Sequence, residues 1–267
     1  MATARCAQAL LGAALLVLLA GSAAADGQSP ANGAWQNMRS HLYGTRDISE
    51  SGDELMSIEA PGSTPDPSAT PVTVHFGGAL AGQVKQVRLI IDNNPSPLAA
   101  TIDLKPGLPL EALDLRVRID RFTSVRAIAE TTDGRLEMRS TWVNASGGCS
   151  APPGAAQGGT LGEVRFRPSA DEHSLLVSIR HPNNSGFQID PKSGDPIPPH
   201  FIARVRLLAA GTVLMDAETG ISLSENPTLR ILSRDRLPSP LTLEATDIPS
   251  QQVFTAVWTA PASAGTR

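Results

Sequence analysis

The chain has 267 residues, a formal net charge of −4 at pH 7 and only 4% aromatic residues. This mild acidity argues against nucleic acid or an anionic membrane as a partner. After the first 25 residues no apolar run is long enough to span a bilayer. What remains of the chain is long enough for two domains with their own cores.

The first 25 residues predict a secretory signal peptide. Arg5 precedes an apolar stretch, residues 9–20, and an Ala-x-Ala cleavage site follows, between Ala25 and Asp26. Cleavage there removes Arg5 and Cys6, so the formal charge changes from −4 to −5. We therefore expect a periplasmic or otherwise extracytoplasmic protein, in a compartment where spare thiols tend to be oxidised.

The first predicted element of the mature chain is a short helix, with Trp35, Met38 and Leu42 on one side. Beyond it the apolar pattern has period two, which is typical of strands with one buried and one solvated face. In residues 113–120, for example, alternation predicts that Arg118 and its charged neighbours face water. Similar alternation predicts strands at residues 72–76, 87–91, 136–142, 164–166, 175–179, 205–207, 229–231 and 241–243.

Many short strands at this spacing predict an all-β fold of two Ig-like antiparallel β-sandwiches. The alternation stops in residues 147–160, which consist almost entirely of Gly, Ala, Ser, Pro, Thr and Gln. This composition is typical of a flexible linker. One sandwich with its N-terminal helix is therefore expected in residues 26–146, and the second in residues 161–267.

Cys149, the one cysteine left after cleavage, lies in this linker. Gly147 and Gly148 precede it, and a flexible arm of this kind is expected to present its thiol to another protein's active site. No charged residue lies between Arg139 and Glu163. The thiol is therefore expected to titrate at its ordinary value, about 8.5.

Short motifs in both halves resemble those of SoxY, the sulfur-carrier subunit of the periplasmic thiosulfate-oxidising system, and of its partner SoxZ. The SoxY-like features are an Asp-x-Asn-Pro-x-Pro-Leu turn at residues 92–98, an Ala-Glu-x-x-Asp-Gly turn at 129–134 and the Gly-Gly-Cys sequence at 147–149. The SoxZ-like features are Ile-Arg-His-Pro at residues 179–182, Pro-Ile-Pro at 196–198 and Ser-Glu-Asn-Pro at 224–227. Their order resembles the fused SoxYZ-like carriers associated with quinoprotein dehydrogenases.

The resemblance implies a carrier with Cys149 as the site of covalent substrate attachment, on an arm formed by Gly147 and Gly148. In the two-chain carriers the cysteine stands at a free C-terminus, whereas here Ser150 and a second domain follow it. The implied partners are periplasmic oxidoreductases: Sox-type enzymes, c-type cytochromes or a quinoprotein dehydrogenase. The resemblance also implies an intramolecular contact between the SoxY-like and SoxZ-like halves.

Two of the motifs are candidates for partner docking. Asp92, Asn94 and Pro95 belong to the first turn, for which a plain hairpin connection is the alternative. His181 and Pro182 belong to the Ile-Arg-His-Pro motif, and they are alternatively the end of a strand.

The sequence predicts no self-contained catalyst, cofactor or metal site. The five histidines, at positions 41, 75, 173, 181 and 200, show no metal-ligand spacing. No phosphate loop, dinucleotide fingerprint or nucleophile elbow occurs. Two function classes remain: a covalent carrier of a sulfur-containing or other intermediate, or a non-catalytic adaptor or assembly partner of a periplasmic quinoprotein dehydrogenase. An adhesion module is a third reading, but it leaves the thiol without a role.

Overall fold

The computed structural model describes residues 31–78, 80–106, 108–154 and 159–260. The predicted signal peptide and its cleavage site lie outside these residues. A single α-helix, α1 (Ala31–Tyr43), is found in the described part of the chain, and it contains the predicted helix. None of the described helices is long and apolar enough to cross a membrane.

The rest of the described chain is built from strands, with one short 3-10 turn at Pro67–Ala69. The strands are β1 (Ser49–Glu50), β2 (Met56–Glu59), β3 (Thr70–Phe76), β4 (Val84–Ile91), β5 (Leu98–Leu104), β6 (Leu110–Val117), β7 (Thr123–Thr131), β8 (Leu136–Val143), β9 (Val164–Pro168), β10 (Ser174–Ile179), β11 (Phe201–Ala209), β12 (Thr212–Thr219), β13 (Thr228–Ser233), β14 (Leu241–Ile248) and β15 (Val253–Trp258).

The strands form two sheets, ordered β1-β8-β7-β4-β5-β12-β11-β14-β15 and β2-β3-β6-β13-β10-β9. The N-terminal half, up to β8, supplies five strands of the larger sheet and three of the smaller one. The C-terminal half, from β9, supplies four and three. Each half is therefore a two-layered β-sandwich, and the all-β sandwich prediction is confirmed.

The two halves are joined through their sheets. β5 pairs with β12 in one layer, with Ile102 opposite Ala217, and β6 pairs with β13 in the other, with Leu115 opposite Leu229. Both pairings are antiparallel, so strands that would otherwise be open edges are satisfied. The implied contact between the halves is therefore made by hydrogen bonds between backbone groups of paired strands. A single apolar core also runs through both halves. Period-two alternation could not reveal this, because it does not show which strand edges pair.

Helix α1 explains why the sequence pattern did not reveal β7, one of six described strands that it did not predict. It packs on the outer face of the larger sheet, where Trp35 and Tyr43 contact Ile90, Ile128 and Met138 in a second apolar cluster. Strand β7 is consequently covered on both faces and is buried along most of its length. A strand buried on both faces has no period-two alternation to detect.

Candidate functional site at Cys149

Cys149 is a free cysteine whose side chain is completely buried. It lies in a turn after β8, within residues 147–154, here called the cysteine segment. The prediction of a solvated thiol on a flexible arm is therefore wrong for this segment. Residues 155–158, also in the predicted linker, lie outside the described residues.

Gly147 and Gly148 serve close packing. Their backbone N–H groups donate hydrogen bonds to the carbonyl oxygens of Asp120 and Ile119, both at 2.9 Å. Gly147 has a φ of +80°, in the left-handed region that favours glycine. A Cβ on Gly148 would lie 2.3 Å from the carbonyl oxygen of Pro67 and 2.6 Å from that of Ile119. The absence of side chains lets the backbone lie against the N-terminal half, which corrects the prediction that these glycines make an arm mobile.

From the C-terminal half, residues 181–189 close over the cysteine segment and are here called the clasp loop. The Ser185 hydroxyl donates a hydrogen bond to the carbonyl oxygen of Cys149. The Gln188 amide nitrogen donates to the carbonyl oxygen of Ala151 at 3.0 Å. The backbone N–H of Ser185 in turn donates to the Gln188 side-chain oxygen at 2.9 Å, which fixes both groups. The cysteine is thus held between the two halves.

The Ser-Glu-Asn-Pro motif at residues 224–227 supports the same arrangement. A Glu225 carboxylate oxygen accepts a hydrogen bond from the backbone N–H of Gly154 at 2.7 Å. The Asn226 side-chain oxygen accepts one from the backbone N–H of His181 at 3.1 Å. The motif therefore ties the end of the cysteine segment and the start of the clasp loop to one short turn.

Arg118 reaches the site from the end of β6. Its Nη1 donates to the carbonyl oxygen of Gly148 at 3.1 Å, and its Nη2 donates to that of Asn183 at 3.2 Å. The side chain is only 2% exposed, although alternation predicted that it faces water. The prediction fails because β6 ends at Val117, so the strand period no longer applies to Arg118.

Burial raises the pKa of the Cys149 thiol to about 12, and the negative charge of Asp120 adds to the rise. The positive charge of Arg118 opposes it. The expected pKa of about 8.5 is therefore wrong, because β6 and the residues after it bring burial and charge that neighbours in sequence do not supply. Since the thiolate is the nucleophile, the thiol in this closed arrangement is protonated and unreactive at neutral pH.

Asn94 positions both charged residues that act on the thiol. Its amide nitrogen donates to the carbonyl oxygen of Arg118 at 2.7 Å, and its side-chain oxygen accepts from the backbone N–H of Asp120 at 2.9 Å. The amide nitrogen also donates to the Ser222 hydroxyl of the C-terminal half at 3.2 Å. Asn94 is buried, so its role is internal and the predicted docking role is corrected.

Asp92 has an internal role as well. Its carboxylate forms a buried, bidentate ion pair with Arg126, with Oδ1 and Oδ2 each 3.0 Å from Nε. The ring of Trp35 covers the guanidinium at 4.9 Å. Burial raises the pKa of Asp92, and the hydrogen bond from Arg126 opposes this. Asp92 is therefore not available for docking, whereas Pro95 is exposed and its docking role stays a prediction.

His181 anchors the clasp loop. Together with His200 it contacts one carboxylate oxygen of Asp247, with Nε2–Oδ1 distances of 2.9 Å for His181 and 2.8 Å for His200. These three side chains could in principle surround a metal ion, because one ligand atom from each lies within 4.8 Å of the others. His181 is buried, which corrects its predicted docking role, while Pro182 is half-buried and its role stays a prediction.

The hydrogen bonds of His181 do not suit a metal. Its Nδ1 accepts a hydrogen bond from the backbone N–H of Asn183 at 3.0 Å, so the neutral ring carries its proton on Nε2. A metal would need the lone pair of Nε2. Burial lowers the pKa of His181, with the Asp247 hydrogen bond opposing, which favours this neutral form. The cluster therefore fits a hydrogen-bonded anchor.

Most motifs behind the resemblance meet at this site. The turn at residues 92–98 holds Arg118, residues 179–182 begin the clasp loop, and residues 224–227 bind its base. Residues 196–198 donate a backbone hydrogen bond to the clasp loop. Only the turn at residues 129–134 lies elsewhere, in the β7–β8 hairpin.

Comparison with protein families divides the chain between Cys149 and the strands of the C-terminal half. The family of sulfur oxidation protein SoxY matches residues 39–149, and that of sulphur oxidation protein SoxZ matches residues 167–258. The chain has a fused SoxY–SoxZ-like architecture. The SoxY match ends at Cys149, so the cysteine closes the SoxY-like half and the clasp loop belongs to the SoxZ-like half. No curated protein matches the chain.

Solved structures give more distant similarities. The sulfur carrier protein SoxY from Chlorobium limicola f thiosulfatophilum aligns at 21% identity with a TM-score of 0.37, over 43% of this chain and 94% of that one. A superoxide reductase (neelaredoxin) from Ignicoccus hospitalis aligns at 14% identity and a TM-score of 0.30, over 34% of this chain and 79% of that one. A putative superoxide reductase from Thermotoga maritima aligns at 12% identity and a TM-score of 0.32, over 36% and 92%.

Sequence reasoning missed Arg118, Ser185 and Gln188. For Arg118 the sequence carries no signal, because the residue continues an alternating pattern that its strand has already left. For Ser185 the sequence does carry a signal, because the residue directly follows the Ile-Arg-His-Pro motif and a turn-forming Asn-Asn pair. A turn next to a family motif is a candidate contact region.

Proposed function

We propose that this fused SoxY–SoxZ-like protein is a periplasmic covalent carrier that holds a sulfur-containing intermediate on Cys149 for partner oxidoreductases. One observation carries the proposal: the single thiol lies where the motifs of both families converge. A residue that only linked two domains would need no such convergence. The family matches support a sulfur-oxidation carrier, and the predicted signal peptide supports the periplasm.

The described arrangement is the closed state of this carrier. Because Cys149 is completely buried and its thiol is protonated, loading requires the cysteine segment to leave the clasp loop. Three hydrogen bonds hold the segment to the SoxZ-like half, from Ser185, from Gln188 and to Glu225. At about 1 kcal/mol each, they limit the open state to on the order of 1% of molecules.

This closed state protects the thiol in an oxidising compartment. A free thiol in the periplasm is exposed to disulfide formation and oxidation. Burial beneath the clasp loop protects the Cys149 thiol until the cysteine segment opens and a partner contacts it. Because Cys149 is joined to a domain on both sides, opening moves a loop, and the thiol reaches less far than it would on a free C-terminus.

Intact-protein mass spectrometry of the protein purified from its own periplasm tests the carrier function. We expect a fraction of molecules with mass added at Cys149, which a thiol reductant removes. The Cys149→Ser variant should carry none and should not support the dependent oxidation. If the native protein carries no adduct and the serine variant supports the oxidation fully, the carrier function is overturned.

The adaptor reading has one observation in its favour, namely the high pKa and complete burial of the thiol. In that reading Cys149 is a core residue, and the protein binds or assists assembly of a periplasmic quinoprotein dehydrogenase. It predicts that Cys149→Ser and Cys149→Ala both retain function if they fold. The two variants in the producing organism therefore separate the readings.

A further inference from the structure

Arg118 is a buried cation without a carboxylate partner. Its side chain is 2% exposed, and no ion pair among the described residues involves it. The two hydrogen bonds that it donates go to neutral carbonyl oxygens, those of Gly148 and Asn183. Its Nε is buried and has no hydrogen-bond partner. Nε is thus a nitrogen of the guanidinium that has no acceptor, although Nη1 of the same group contacts the cysteine segment.

Such an arrangement costs free energy, because a buried charge is destabilising unless an opposite charge compensates it. Burial lowers the pKa of Arg118, and the group whose negative charge most opposes this is Cys149, followed by Glu225 and Asp66. Glu225 already accepts a hydrogen bond from Gly154, and Asp66 accepts two from Ser68. Neither carboxylate forms an ion pair with Arg118 among the described residues. Cys149 directly follows Gly148, whose carbonyl oxygen lies 3.1 Å from Nη1 of Arg118, and its sulfur becomes negatively charged when the thiol loses its proton.

We propose that Arg118 is the counter-ion for negative charge at Cys149, first for its thiolate and then for an anionic group covalently bound to its sulfur. The unused Nε–H is the donor offered to that anion. The first part depends only on this chain, whereas the second rests on the proposed carrier function. Asp120, which lies near the same thiol, acts with the opposite sign.

Two adducts of Cys149 that are nearly equal in size but differ in charge separate the effect of charge from that of size. Iodoacetamide converts Cys149 to a neutral carboxamidomethyl group, and iodoacetate converts it to a carboxymethyl anion of nearly the same size. In both reactions the thiolate displaces iodide, a carbon–sulfur bond forms, and the thiol proton goes to solvent. Each adduct is prepared in mild denaturant, which is then removed. The measured quantity is the melting temperature of the anionic adduct minus that of the neutral one.

Tetrathionate supplies an adduct that contains sulfur. The Cys149 thiolate attacks an inner sulfur, the central sulfur–sulfur bond breaks, and thiosulfate leaves with the electron pair. The cysteine sulfur is oxidised to an S-thiosulfonate anion, half of the tetrathionate is reduced to thiosulfate, and one proton is released. This adduct does not depend on the natural cargo, so the test can fail or succeed independently of the proposed function.

The variants are Arg118→Met, which removes the charge, and Arg118→Lys, which keeps it. Arg116→Met, an exposed position on β6, is the matched control. We expect the difference between anionic and neutral adducts to fall by about 2–4 °C in Arg118→Met, the shift that ~1 kcal/mol gives in a chain of this size. Arg118→Lys should retain most of the difference, Arg116→Met all of it, and Asp120→Asn should shift it the other way.

An equal difference in wild type, Arg118→Met and Arg116→Met would overturn the proposal. If Arg118→Met does not fold, Arg118→Gln takes its place, because it also removes the charge while keeping a hydrogen-bond donor. An unchanged difference in Arg118→Gln would then overturn the proposal. A second readout is the ratio of iodoacetate to iodoacetamide reaction rates in the native protein. Opening of the segment affects both rates equally, so this ratio should fall about tenfold without Arg118 and stay constant if the residue only packs.

Discussion

The hydroxyl of Ser185 donates a hydrogen bond to the carbonyl oxygen of Cys149, from the SoxZ-like half to the last residue of the SoxY-like match. The bond goes to the backbone, so it holds the cysteine in place without using the sulfur. Ser185 is itself buried and fixed by Gln188. The SoxZ-like half therefore holds the backbone of a cysteine that the SoxY-like half supplies.

Ser185→Ala should make Cys149 more accessible. The substitution removes the hydrogen bond from Ser185 to the cysteine segment, worth about 1 kcal/mol, which raises the open population about fivefold. It also removes a bond inside the clasp loop, which the hydroxyl accepts from the backbone N–H of Phe187 at 3.2 Å. The rate of alkylation by iodoacetamide at neutral pH should rise by the same factor, while the melting temperature falls by only about 2–4 °C. Ser140→Ala, on the exposed face of β8, is the control and should leave the rate unchanged. An unaltered rate in Ser185→Ala would show that this contact does not limit opening.

Gly148→Ala should dislodge the cysteine segment. A Cβ there would lie within 3 Å of backbone atoms of Pro67 and Ile119, which cannot move aside as a flexible side chain can. We expect a loss of about 1–3 kcal/mol of stability, as for overpacking, together with faster alkylation of Cys149. Gly62→Ala is the control, because a Cβ at that position meets nothing within 4 Å. Slow alkylation in a stable Gly148→Ala protein would contradict the close packing described here.

The sequence predicted the fold class and the helix well, because one-sided strands and an amphipathic helix leave periodic patterns. It did not predict that the halves share sheets, since the pairing of Leu115 with Leu229 depends on which edges meet. Cys149 was singled out from the sequence as the attachment site, and that role stays a prediction. Its buried environment was not predicted, because Arg118 and Ser185 lie 31 and 36 residues away in sequence.

Composition was misleading at Gly147 and Gly148. Glycine permits a mobile chain, but it equally permits a backbone to approach another backbone closely. The same residues therefore fit a linker and a packed turn. What distinguishes the two is the presence of acceptors, here the carbonyl oxygens of Asp120 and Ile119, and these come from a distant segment.

Cutting the chain between the halves should not separate them. We suggest inserting a site-specific protease sequence between residues 155 and 158 and cleaving the folded protein. Because β5 pairs with β12 and β6 with β13, the fragments should remain together as one particle in size-exclusion chromatography and native mass spectrometry. Elution as two smaller folded fragments would contradict the shared sheets.

Zinc should not stabilise the protein through His181, His200 and Asp247. The Nδ1 of His181 accepts the Asn183 N–H, so its Nε2 is protonated and directed at Asp247. We expect no rise in melting temperature on adding zinc to the reduced protein. A rise that disappears in His200→Ala but persists in Cys149→Ser would show that the cluster does bind metal.

The buried thiol should make the protein sensitive to alkali. The folded-state pKa of Cys149 is about 12, raised mainly by burial above the value of about 8.5 to 9.0 that a solvated thiol has. The folded state therefore retains its proton where the unfolded state has lost it. The corresponding stability is fully present below pH 9 and decreases as pH rises toward 12, because ionisation then favours the unfolded chain.

Urea unfolding of wild type and Cys149→Ser at several pH values measures this contribution. Serine does not ionise in this range, so only the wild type should lose stability through this group. At about pH 10.5 the expected loss relative to pH 8 is about 2 kcal/mol. The serine variant will be less stable than the wild type at pH 8, because a buried hydroxyl replaces the thiol. The comparison therefore uses the change in unfolding free energy with pH in each protein. Parallel pH dependence in the two proteins would mean that Cys149 titrates as an exposed thiol and that the clasp is mostly open in solution.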